Sequence, residues 1–187
     1  MKKIALFIIP IIFLLSTCAL EIANVIGPGG GYVYYDKGNY KDGWRYKECS
    51  PFDVGELKID ELRDDTAHTG LLKAVRLCID QSDEWYAYDW EIPDEADMKK
   101  MLECFSYGLT RFSPDYYYLA ANNQPASDKR KPKYDPTDPV FLSGLGSWEI
   151  VILHKNFDNA LNGEVEIVDM DTFPSTNVIR VRPIRKF

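Results

Sequence analysis

Only two histidines occur in the 187 residues, His68 and His154, and neither H-E-x-x-H nor G-x-S-x-G is present. That removes the common signatures of zinc proteases and of serine hydrolases built on a nucleophile elbow. Cysteine is nearly as sparse. Beyond Cys18 there are Cys49, Cys78 and Cys104, without C-x-x-C or Cys/His zinc spacing, so no structural zinc is expected. Three cysteines permit one bridge and one leftover thiol, or three buried thiols acting as small hydrophobes. Positive charge is also short, 22 Lys+Arg against 29 Asp+Glu, for a net −7. A balance of that sign disfavours nucleic acid and anionic membranes as general partners.

Long apolar runs are missing everywhere except at the start. Lys2 and Lys3 precede an apolar stretch from Ile4 to Leu15, interrupted by Pro10. That is the length of a signal-peptide h-region and too short for a comfortable span. Leu15-Ser16-Thr17-Cys18 then resembles a bacterial lipobox, with Thr17 where Gly, Ala or Ser is usual. We expect residues 1–17 to be a lipoprotein signal peptide and Cys18 to be lipidated. The alternative is ordinary secretion with cleavage near Ala19 or Ala23. Export to the envelope follows either way, with the outer membrane or cell surface expected for the lipidated form. The remaining 170 residues suit one domain, residues 27–187, behind a short tether, residues 18–26.

"GPGGGYVYYDKGNYKDGWRY", residues 27–46, has the look of a phosphate loop. A dinucleotide fingerprint needs a strand before G-x-G-x-x-G and a helix after it, and a P-loop ends in Gly-Lys-Ser/Thr. Here aromatic and β-branched residues follow, then a turn rich in Asp, Gly and Asn, then "WRYKEC". The glycines are expected to start a β-hairpin rather than to hold phosphate.

Farther on, "SPFDVGELKIDELRDD" reads as a polar connection. Leu71, Leu72, Val75, Cys78 and Ile79 recur at three and four, which predicts a helix over 66–80. A second helix, 94–106, is signalled by Pro93, a capping Asp94, and Met98, Met101, Leu102 and Phe105 on one face. The last third predicts strands at "DYYYLAA", at 148–155, at 164–168 with Val165 and Ile167 on one face against Glu164 and Glu166, and at the C-terminus. There Ile179 and Val181 should face in, Arg180 and Arg182 out. Between them, residues 122–139 read as a surface loop. Hairpin, two helices, then strands is an α+β order.

Three stretches together resemble a family. "GPGGGYVYYDKGNYKDGWRYKECSP", "DWEIPDEADM" and the terminal "VRPIRKF" are similar, in order and spacing, to bacterial exported proteins with a C-terminal domain like that of the Legionella collagen-like protein. The resemblance spans Gly27 to Phe187. It implies a C-type-lectin-like fold, grouped with formylglycine-generating-enzyme-like domains, in which two helices pack on a twisted antiparallel sheet. One departure concerns a strand that carries an aromatic-Trp-Ser-Ser pattern in the family. Here it is Tyr116-Tyr117-Tyr118-Leu119-Ala120-Ala121.

The resemblance implies recognition rather than catalysis, since the founding member is associated with glycosaminoglycans and adhesion. The copper-binding cysteine pair of formylglycine-generating enzymes has no clear counterpart. Asp158 to Asp169 imitates an EF-hand loop, but Ala160 removes one ligand and Asn162-Gly163 suits a hairpin turn. Gln124-Pro125-Ala126 likewise lacks the third oxygen of a calcium-dependent lectin tripeptide. No enzyme activity, cofactor or metal is therefore expected. An anionic glycan or a surface protein is the expected partner, with Lys129, Arg130, Lys131 and Lys133 its contact, and no nucleic acid. A periplasmic structural or assembly lipoprotein with no soluble ligand is the alternative.

Overall fold

The computed structural model describes residues 25–63, 68–81, 90–104, 116–124, 136–156 and 164–187. Among these residues the architecture is α+β, with eight strands in two sheets. Strands β1 (Tyr32–Asp36), β2 (Tyr46–Cys49) and β8 (Ile184–Lys186) form one sheet, in the order β1-β2-β8. The other runs β3-β7-β4-β5-β6, from β3 (Gly55–Lys58), β4 (Tyr117–Asn122), β5 (Glu149–Asn156), β6 (Glu164–Val168) and β7 (Val178–Val181). Helices α1 (Asp60–Arg63), α2 (Thr69–Asp80), α3 (Glu95–Cys104) and α4 (Pro139–Gly144) complete the described elements, with a short 3-10 turn at Leu145–Ser147.

The opening hairpin forms as expected. β1 and β2 pair antiparallel, and the reversal between them places Gly38 and Gly43 at φ 79° and 78°. Only glycine adopts that conformation at low cost. A bulge at Tyr34 sets Val33 opposite Glu48 and Tyr35 opposite Lys47. Tyr34 is thereby turned into the core beside Met98, Met101 and Leu102.

The five-stranded sheet is covered on both faces. Leu119 and Ala121 of β4 point toward α2, whose Leu71, Ala74, Val75 and Cys78 fill that side. Tyr118 and Ala120 point the other way, onto Met98, Met101 and Leu102 of α3 and onto Tyr34, Cys49 and Ile184 of the smaller sheet. Burial of both faces explains why β4 reads as a continuous apolar run instead of an alternating one.

Several expectations need correction. A single antiparallel sheet is replaced by two, and β4 pairs with β7 in parallel. The expected C-terminal strand is cut at Arg182-Pro183. Pro183 cannot donate to a ladder, so β7 stays in the large sheet and β8 crosses to the hairpin, antiparallel to β2. Arg182 does not face solvent; it is 1% exposed. The connection after the hairpin contains β3 and α1, two elements of four residues each that periodicity could not resolve. Pro139 opens α4 behind the cap Asp138, whose carboxylate accepts from the Val140 N–H at 2.8 Å, so the expected loop ends earlier. Ile167 is 55% exposed because β6 is the edge of its sheet.

Both main helices stand: α2 starts at Thr69 rather than Thr66, and α3 runs Glu95–Cys104, the expected residues 105 and 106 lying outside the described residues. Asp94 accepts from the Asp97 N–H at 2.7 Å, the expected cap. Gly70 is a packing requirement. A Cβ there would lie 2.2 Å from the Glu61 carbonyl oxygen.

Candidate functional site

The motif residues converge on one buried carboxylate. Glu48 is 0% exposed. Its Oε1 accepts from the Gly29 N–H and its Oε2 from the Gly31 N–H, both at 3.0 Å, and Arg185 Nη1 stands 3.6 Å from Oε1. The glycine loop therefore does cradle an anion, and the anion belongs to the chain itself. The loop closes on itself, with the Gly27 N–H donating to the Gly31 carbonyl at 2.8 Å and the Gly30 N–H to the Gly27 carbonyl at 3.0 Å. Side chains do not fit. A Cβ on Gly29 would fall 2.7 Å from both Arg185 and Glu48, and one on Gly31 would fall 2.3 Å from the Cys49 carbonyl oxygen. Burial raises the Glu48 carboxyl above its usual range, against the two N–H groups and Arg185, which lower it.

Further ion pairs surround this hub. Arg182 reaches Asp53 at 2.6 Å and the Ser50 carbonyl at 3.1 Å. Lys186 reaches Glu91 at 2.6 Å, and Glu91 bridges Ile184 through the backbone. Trp90 packs beside Gly29. Thus the Gly-rich stretch, "WRYKEC", Trp90 and Glu91 of the middle motif, and "VRPIRKF" meet in one place because they build one joint between hairpin, connection and C-terminus. Neighbouring Cys49 is buried, and burial pushes its thiol up to about 12. Cys78 is also buried.

A second cluster lies on the α3 side of the hairpin. Lys47 binds Asp97 at 2.5 and 2.7 Å, and burial raises the Asp97 carboxyl despite that partner. Trp44 carries Lys37 at 3.9 Å and Lys47 at 5.3 Å over its ring, and Lys100 stands 3.9 Å over Tyr35. The Tyr35 and Trp44 rings are 6.1 Å apart. Each such contact contributes on the order of 0.5–1 kcal/mol at an exposed site. Sequence reading missed this cluster, although the alternation of lysines and aromatics in "YYDKGNYKDGWRYK" carried the signal.

An open groove of about 320 Å³ is lined by Glu95, Glu149, Asp169 and Asp171 with Ile167 and Met170. Lys99 neutralises Glu95 at 2.5 Å. Among the described residues no three metal-ligating side chains form a group.

Cys18 and Lys129, Arg130, Lys131 and Lys133 lie outside the described residues, as does the Asn162-Gly163 turn. The strands flanking that turn, β5 and β6, pair antiparallel. Gln124 is spent on the backbone, donating to the Ile92 and Ala121 carbonyls at 3.0 and 2.5 Å. His154 stacks on Tyr117 with ring centroids 4.7 Å apart, and His68 precedes α2 at φ 53°. Among the described residues no helix is long and apolar enough to cross a membrane. No family model, curated protein or solved structure matches the chain.

Proposed function

We propose that the chain is a non-enzymatic bacterial envelope protein, exported and lipid-anchored through Cys18. Its α+β domain, of C-type-lectin-like type, recognises an anionic glycan or a surface protein. The observation supporting this reading is the buried hub. The residues that carry the family resemblance are consumed by one another, with the Glu48 carboxylate held by two backbone N–H groups and Arg185. A loop already filled by an internal anion has no open position for a phosphate or a reacting group. Such a joint holds a scaffold, and specificity then falls to exposed loops. Lys129, Arg130, Lys131 and Lys133 are the densest cationic run in the chain and the proposed contact.

The test is a glycan array probed with residues 19–187 at physiological salt, with calcium and then with chelator. Chelator-resistant binding to sulfated glycans supports the reading. Chelator-sensitive binding would bring in a metal that the reading excludes. A blank array under both conditions favours the structural or assembly role.

A further inference from the structure

From the ring-and-lysine cluster on the hairpin we infer that this face docks on the anionic headgroups of the bilayer that holds the lipid anchor. The inference rests on lipidation of Cys18.

Reach is the first argument. Seven residues, 18–24, separate the anchor from Val25, and fully extended they span at most about 25 Å. Val25 enters directly beside β1, its carbonyl accepting from the Val33 N–H at 2.9 Å. The hairpin is therefore the part of the domain tied most closely to the membrane.

Chemistry is the second. Tyr40, at the tip of the reversal, is 60% exposed. Trp44 follows four residues later, propped by Lys37 and Lys47. Trp and Tyr are the side chains that settle at headgroup level, with an apolar ring and a polar edge. Lys37 is neutralised by Asp42 at 3.0 Å and Lys47 by Asp97, leaving Lys41 and Lys100 exposed. Among the described residues neither has a carboxylate partner.

Field is the third. Without residues 1–17 the chain holds 20 Lys+Arg against 29 Asp+Glu, net −9, so an anionic surface repels the domain as a whole. A small cationic face then selects one orientation. The tether supplies the high effective concentration that a weak contact needs.

The experiment uses the mature protein, purified with its native N-terminus and reconstituted into phosphatidylethanolamine–phosphatidylglycerol vesicles whose lipids are brominated near the headgroup. Tryptophan quenching is compared with that in brominated phosphatidylcholine vesicles. The expected result is quenching in the anionic vesicles only, abolished by Trp44→Phe. In Lys41→Gln/Lys100→Gln the docked-to-undocked ratio falls on the order of 30-fold, since each lysine near such a surface contributes roughly a factor of five. Quenching that is absent, equal in both lipids, or unchanged in the double variant overturns the proposal. The mass of the N-terminal peptide reads lipidation separately. A bare Cys18 removes the anchor and the docking with it, whereas a lipidated but unquenched protein removes the docking alone.

Discussion

Replacing Glu48 with Ala should be among the most costly single changes in the domain. The variant strips the acceptor from the Gly29 and Gly31 N–H groups and removes the carboxylate that stands 3.6 Å from Nη1 of Arg185, which is 5% exposed. Breaking a buried pair from one side costs about 3–5 kcal/mol, because the remaining buried charge loses a counter-charge. A loss of about 4 kcal/mol is a large share of the 5–15 kcal/mol typical of a whole domain. With a urea dependence near 2 kcal/mol per molar, the unfolding midpoint should fall by roughly 2 M. Glu48→Gln should cost less. Burial already favours the neutral carboxyl, and the amide oxygen can still accept from one N–H. Adding Arg185→Met to Glu48→Ala should cost less than Arg185→Met alone, with a coupling of about 1–3 kcal/mol. A midpoint shift below about 0.5 M for Glu48→Ala, on a protein that retains its near-ultraviolet dichroism, would refute the hub.

The glycines should rank by their surroundings. Gly31→Ala meets the Cys49 carbonyl and should destabilise by about 3 kcal/mol, whereas Gly30→Ala meets open space at φ 78° and should cost about 1 kcal/mol, both read by urea melts. Stability should also depend on pH with a definite sign. Glu48 and Asp97 are raised by burial, so the folded state binds more protons than the unfolded one above about pH 4, and stability falls as pH rises through that window. The melting temperature should therefore be higher near pH 5 than at pH 7.5, and a steady fall from pH 7.5 to pH 5 would contradict the assignment. Alkylation of the native protein at about pH 8, read by peptide mass, should leave Cys49 and Cys78 unmodified until denaturant is added, because only the exposed thiolate reacts.

Much of this fold is written locally. The hairpin needed only its β-formers and the glycines of its reversal, and α3 only Asp94 and a row of apolar residues. Length defeated the reading of β3 and α1, since four residues carry no period. Direction defeated it at Arg182, which alternation assigns to solvent. Its burial depends on Asp53 and Ser50, more than 120 residues away. Glu48 shows the same limit. A charged residue in a strand reads as solvent-facing unless the partners that hold it are known, and those partners are backbone N–H groups of a distant loop. The candidate recognition residues were legible only as a run of like charge. The hairpin cluster was missed because its lysines and rings were assigned to a turn and its strands, and Lys100 arrives from another helix.

The recognition reading is tested most directly by heparin retention of residues 19–187 at physiological salt. The account predicts that the wild type is retained and that replacing Lys129, Arg130, Lys131 and Lys133 together with Ala abolishes retention, leaving the unfolding midpoint unchanged. Retention by the quadruple variant equal to that of the wild type would contradict it.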